Sequence, residues 1–120
     1  MNIAITGSSG MLGTALCAVL SKDNAYSITG IDLKEDPSGE EGPSSFFACD
    51  ITDYAALDNA VREIRPDLII HTAAYTDVDG CERDPGKAQI VNSIGTQYVA
   101  RVAQEYSCGL IYIYKYGLCL

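Results

Sequence analysis

A chain of 120 residues is the size of one domain. With 48% hydrophobic and 20% charged residues it has the make-up of an ordinary globular protein that can bury a core. Its formal charge of −8, from 16 acidic against 8 basic residues, argues against a nucleic-acid partner, because replacing counterions on phosphates requires a basic face.

Met1 leads within one residue into a strand-like run, with neither the basic segment nor the long apolar stretch of a secretory leader. No apolar run reaches the roughly 20 residues that span a bilayer. The expectation is therefore no membrane and, by default, the cytoplasm. The cysteines are Cys17, Cys49, Cys81, Cys108 and Cys119, irregularly spaced and without a C-x-x-C pair. With His71 as the only histidine, the expected state is buried or reduced thiols and no metal site.

The apolar pattern alternates short β-branched runs with longer helical periods, which predicts an α/β fold with a parallel sheet. Asn2–Thr6 reads as the first strand. Leu12, Ala15, Leu16 and Val19 follow at helical spacing and are expected to face the core. Residues 26–31 form a second strand, 33–45 a Glu-, Pro-, Gly- and Ser-rich surface loop, and 46–48 a short third strand. Thr52 or Asp53 is expected to cap a helix with Leu57, Ala60, Val61 and Ile64 as its stripe, ended by Pro66. Residues 68–70 are apolar throughout, as in a strand covered on both faces. Asp84 caps and Pro85 starts a long helix to about Tyr106, with Ala88, Val91, Gly95, Val99 and Val102 inward. Gly109 opens a fifth strand over 110–113. The simplest assembly is a Rossmann-type doubly wound sheet of order 3-2-1-4-5, incomplete at its carboxyl end. Residues 1–113 make a partial dinucleotide-binding domain, and a second, substrate-binding domain is not found.

The strongest chemical signal is Gly7-Ser8-Ser9-Gly10-Met11-Leu12-Gly13, between the first strand and the first helix. A diphosphate needs backbone N–H donors, an approach unhindered by Cβ atoms and the positive end of a helix. Gly7 suits the tight turn, Gly10 the approach to phosphate, and Gly13 the packing of helix on sheet. The G-x-x-G-x-x-G spacing differs from the commoner G-x-G-x-x-G, and glycines also gather in plain turns, so the motif draws its weight from its context. Asp32, at the end of the second strand, is placed to accept hydrogen bonds from a ribose, which favours NAD, while Lys34 leaves NADP open. Asp50 and Ile51 follow the third strand, where an adenine edge is reached, though Asp50 also suits a plain helix entry. His71 is either a cofactor contact or a satisfied core histidine, with the core role favoured.

At Gly7–Gly13, at Cys49-Asp50-Ile51-Thr52-Asp53, along the run from Arg65 to Asp79 and at Val91-Asn92, the sequence resembles the dTDP-4-dehydrorhamnose reductases, sugar-nucleotide reductases of the extended short-chain dehydrogenase type. The resemblance covers nearly everything up to Ile113 and is most specific from Arg65 to Asp79. It implies a Rossmann-type fold and hydride transfer from NADPH or NADH to the 4-keto group of a dTDP-sugar. It further implies that Gly7, Gly10, Met11, Leu12, Asp50, Ile51, Ala73, Ala74 and Tyr75 line the nicotinamide dinucleotide. Asn92 is then expected on the long helix behind the active site.

From Tyr114 to Leu120 the chain departs from that pattern. The family's Ser-Thr-Asp-Tyr-Val-Phe segment is expected there, with a Tyr-x-x-x-Lys pair beyond it, and no tyrosine of the chain is followed four places later by lysine. In this chemistry the tyrosine protonates the carbonyl oxygen and the lysine lowers its pKa from about 10. No catalytic residue is therefore assigned. The codons that write residues 114–120 and a following stop, read with one base removed, permit Ile-Ser-Thr-Asp-Tyr-Val-Phe in order. The expectation is an aberrant tail from a shifted reading frame, which the DNA after codon 113 decides. Two other functions stay open, a non-catalytic nucleotide-binding module like the regulatory subunit of methionine adenosyltransferase, and an inert remnant.

Overall fold

The computed structural model describes residues 1–34, 43–72 and 85–113. Five strands run in chain order as β1 (Asn2–Thr6), β2 (Ser27–Asp32), β3 (Ser45–Ala48), β4 (Leu68–His71) and β5 (Gly109–Tyr112). Among the described residues three helices alternate with them, α1 (Met11–Leu20), α2 (Tyr54–Ile64) and α3 (Pro85–Glu105). The sheet has the order β3-β2-β1-β4-β5 with every pair parallel, as the alternating pattern predicts.

Strand alternation splits the core in two. Ile3 and Ile5 of β1 join Ile28, Ile70 and Cys17 of α1 on one face. Ala4, Ile31 and Ile69 point the other way, onto Leu57 and Val61 of α2 and Val99, Val102 and Ala103 of α3. Burial on both faces explains the uniformly apolar β4.

The helix boundaries have local causes. Asp53 caps α2 by accepting from the Ala56 N–H at 3.2 Å, while Thr52 bonds back to Asp50. The helix ends where Arg65 turns left-handed (φ 52°), just before Pro66. Leu57, Ala60 and Val61 are buried and Ile64 packs beside them, so that stripe is as expected. Pro85 opens α3. Asp84 and the side chains of Ala88 and Val91 lie outside what is described, but Gly95, Val99 and Val102 do face inward. The Cβ that Gly95 lacks would lie 2.4 Å from Ile51 Cδ1 and 2.9 Å from its Cγ1, so a larger residue there would require the Ile51 side chain to shift.

In α1 the expectation fails. Gly13 and Cys17 are buried and Leu16 and Leu20 pack on the core, whereas Leu12 is 44% and Val19 65% exposed. Only Leu16 belongs to both sets. The buried face is turned by about one residue, because Gly13 lets the helix close onto the loop backbone and brings Leu16, Cys17 and Leu20 onto the sheet.

At the far edge, every residue of β5 is exposed, including Leu110, Ile111 and Tyr112. Ile113, which follows β5, is half-buried against the α1-side core. Cys17, Cys49 and Cys108 are free thiols. Burial, with Asp53 and Asp50 adding to it, pushes the Cys49 thiol up to about 11. Cys81 and Cys119 lie outside the described residues. Among the described residues no three His, Cys, Asp or Glu side chains gather as metal ligands, and no helix is long and apolar enough to cross a membrane.

Candidate cofactor site

The strands end in a line, because the parallel register pairs Thr6 with both Ile31 and His71, and Asp32 with Ala48. The segments that leave this edge therefore start side by side. The chain from β1 crosses to α1 on one face, and α3 lies on the other. Such a switch point opens a crevice beyond the carboxyl ends of β1 and β4.

The loop after β1 is built on backbone. Gly7 has φ 72°, which glycine adopts without strain, and donates its N–H to Ile31 O at 2.8 Å. Its carbonyl accepts from Gly10 N at 3.0 Å, which closes the turn. A Cβ on Gly13 would lie 2.0 Å from that same carbonyl oxygen and 2.8 Å from Ser8 Cα. Gly13 thus lets α1 sit against the loop's own backbone, a closer partner than the sheet expected from sequence. Gly10, Met11 and Leu12 are exposed, Met11 at 91%. The first N–H groups of a helix have no intrahelical partner, and the N-cap Gly10 offers no side-chain cap. These donors and the positive end of the helix suit an anionic group.

Asp32 stands at the end of β2 beside the loop. Its Oδ2 accepts from Ser9 N at 3.0 Å and its Oδ1 from Leu33 N at 2.7 Å. Each oxygen retains a lone pair for a ligand hydroxyl. Ser9 Oγ donates to Lys34 O at 2.5 Å and ties the glycine loop to the chain after β2. Asp50 is exposed and turned onto Thr52, whose N–H and hydroxyl it accepts at 2.9 and 2.6 Å. Ile51 is buried under α3. Asn92 is half-buried on α3, one turn before Thr96. Ala73, Ala74 and Tyr75 lie outside the described residues.

His71 is 1% exposed and both ring nitrogens are engaged, Nδ1 with Thr6 Oγ1 at 2.7 Å and Nε2 with Thr96 Oγ1 at 3.0 Å. Its ring stacks on Tyr112 with centroids 5.1 Å apart. Burial lowers its pKa to about 4, so the imidazole is neutral near pH 7. This is the satisfied core histidine. Sequence reasoning missed its partners Thr6 and Thr96, and also Gly30, where a Cβ would lie 2.5 Å from Ser8 Oγ. A glycine inside a strand is the signal that marks such a close approach.

Known proteins are similar to this chain in sequence and fold. The dTDP-4-dehydrorhamnose reductase of Mycobacterium tuberculosis (strain CDC 1551 / Oshkosh) is 34% identical over 111 residues, 92% of this chain and 31% of the relative. That of Aggregatibacter actinomycetemcomitans is 29% identical over 111 residues, 92% of this chain and 33% of the relative. The chain thus spans about a third of the length of the curated relatives it matches. The UDP-glucose 4-epimerase of Thermus thermophilus, solved in complex with NAD, superposes with a TM-score of 0.78 at 26% identity, over 89% of this chain and 35% of that one. The RmlD substrate binding domain family matches residues 1–116, all but the end of the chain, and to that family the chain belongs.

Proposed function

We propose that this chain is the dinucleotide-holding portion of a dTDP-4-dehydrorhamnose reductase, and that it grips NADH or NADPH across the crevice between β1 and β4. The observation that carries this reading is the uncapped first turn of α1, set directly behind a three-glycine loop at the sheet's switch point. The residues present fit the group. Backbone N–H groups at Met11, Leu12 and Gly13 hold the diphosphate bridge, with Gly7 and Gly10 keeping the approach free of side chains. Asp32 accepts from the adenosine ribose, and Asp50 with the edge of Ile51 borders the adenine. Ala73, Ala74 and Tyr75, following β4, and Asn92 on α3 border the nicotinamide half.

The bound dinucleotide supplies a hydride for the 4-keto group of a dTDP-sugar. The chain's residues hold and orient it. The proton donor of this chemistry, a tyrosine with a lysine four places on, is not encoded in the 120 residues. The proposal is accordingly a chain that binds cofactor and by itself reduces no ketone. Its tail, residues 114–120, belongs in this reading to a shifted frame.

Heat denaturation with and without dinucleotide tests the proposal. Ligand at 100 times its Kd adds about 2.7 kcal/mol, a rise in Tm of roughly 5 °C or more for a domain of this size. A melt unmoved by both NADH and NADPH overturns the binding role. Oxidation of NADPH by the purified chain on a dTDP-4-keto sugar overturns the assignment of inactivity.

A further inference from the structure

We infer that Thr96, His71, Thr6 and Thr72 form a relay that positions the glycine loop, fastening α3 on one face of the sheet to the mouth of α1 on the other. The inference deepens the cofactor reading and rests on it only for its effect on binding.

The ladder between β1 and β4 ends at Thr6 and His71, where the two chains part toward opposite faces. Just beyond that pair, among the described residues, Thr72 N also donates to Thr6 O at 3.1 Å, and side-chain bonds continue the tie. Thr96 Oγ1 on α3 meets His71 Nε2 at 3.0 Å, and His71 Nδ1 meets Thr6 Oγ1 at 2.7 Å. Thr6 Oγ1 accepts from Thr72 N at 3.1 Å. The Thr72 hydroxyl donates to Thr6 O at 2.5 Å and lies 3.4 Å from Gly7 O. That Gly7 oxygen is the atom that Gly10 N bonds at 3.0 Å and against which Gly13 is packed. The row thus runs from α3 through the sheet to Thr72, whose hydroxyl gives its one proton to Thr6 O and lies beside the Gly7 oxygen on which the loop and α1 both rest.

A neutral imidazole has one donor and one acceptor nitrogen, and each hydroxyl can take either part, so the row can be satisfied in a single direction. His71 is more than filling. A hydrophobic residue of similar size would occupy the space but remove the ring nitrogens that Thr6 Oγ1 and Thr96 Oγ1 meet. His71 and the threonines are positioning residues, since they act on the ligand through Gly7.

The whole 120-residue chain provides the test. Thr96→Val keeps the shape of the side chain and removes its hydroxyl, and Thr96→Ser returns the hydroxyl. Amide hydrogen exchange is followed at Thr72 and Gly10, with Ile28 and Val61 as reporters of the two cores. Thr96→Val is expected to quicken exchange at Thr72 and Gly10 by about tenfold, as for one lost buried hydrogen bond, while Ile28 and Val61 hold. The Kd for NADH is expected to rise about fivefold. Thr96→Ser is expected to restore both. Because His71 is the only histidine, its ring 15N resonances form a unique signal, expected as one neutral tautomer in the parent and displaced in Thr96→Val. Exchange that stays unchanged at Thr72 and Gly10, or rises equally at every core amide, overturns the relay. If the parent binds no NADH while the loop amides still respond to Thr96→Val, the cofactor reading falls and the relay stands.

Discussion

Gly13→Ala is expected to destabilise the chain by about 2–3 kcal/mol and to abolish NADH binding. Two effects oppose each other. Alanine in place of glycine inside a helix gains about 1 kcal/mol of propensity. The new Cβ, however, would sit 2.0 Å from Gly7 O and 2.8 Å from Gly7 C and Ser8 Cα, all backbone atoms that no rotamer change can move. The helix must back away from the loop, and the clash outweighs the propensity. Against a typical total of about 5–15 kcal/mol this is a large loss. Gly10→Ala is the informative partner. Its φ of −78° suits any residue, and among the described residues its Cβ meets only Gly7 O, at 3.3 Å. That variant should stay folded and still bind NADH more weakly, because the methyl group projects from an exposed position toward the ligand. Urea unfolding gives the stabilities and fluorescence titration with NADH gives the binding. A stable Gly13→Ala that binds like the parent contradicts the close fit of α1 to its loop.

The second large effect is acid sensitivity through His71. The folded pKa is about 4 and the unfolded reference 6.5. Folding therefore favours the neutral ring, and the unfolded chain binds the extra proton. The associated stability is complete above pH 6.5 and drains away as the pH falls toward 4. Linkage gives a loss of about 2 kcal/mol by pH 5 and about 3 kcal/mol by pH 4. Above pH 5 most unfolded carboxylates stay ionised, and with a single histidine the window from 6.5 to 5 isolates this group. Urea unfolding of the parent at pH 7.5 and pH 5 should show the loss. His71→Gln should be less stable at pH 7.5 and nearly flat across the same window. A parent whose stability is level between pH 7.5 and pH 5 contradicts a neutral buried ring.

Much of this was legible in the sequence because the deciding interactions are local or periodic. The strand order follows from β-branched runs alternating with helical stripes, and α2 was bounded by Asp53 and Pro66 within a few residues of its ends. The glycine loop could be placed because a strand precedes it and a helix follows. The inner face of α1 was misread, since hydrophobic periodicity credits Leu12 and Val19 for their size and gives Gly13 and Cys17 little weight. Close approach reverses that weighting. The tie between Asp32 and Ser9 crosses from one strand end to the next loop, and the bonds of His71 reach Thr6 and Thr96, 65 and 25 residues away. No periodicity marks such pairs. They become visible only when the register sets the strand ends in line.

The exposed β5 fits the same physical picture. Parallel strands are normally covered on both faces, and here Leu110, Ile111 and Tyr112 are between 38% and 48% exposed. Among the described residues β5 is an edge strand, and it bears no charge between Gly109 and Ile113.

The most direct test of the central claim is an amide NMR titration of the 15N-labelled chain with NADH. The account predicts that the resonances of Gly10, Met11, Leu12 and Gly13 move first and furthest, with Asp32 following. Saturating NADH that leaves those amides in place, or shifts only residues remote from the ends of β1 and β4, would contradict it.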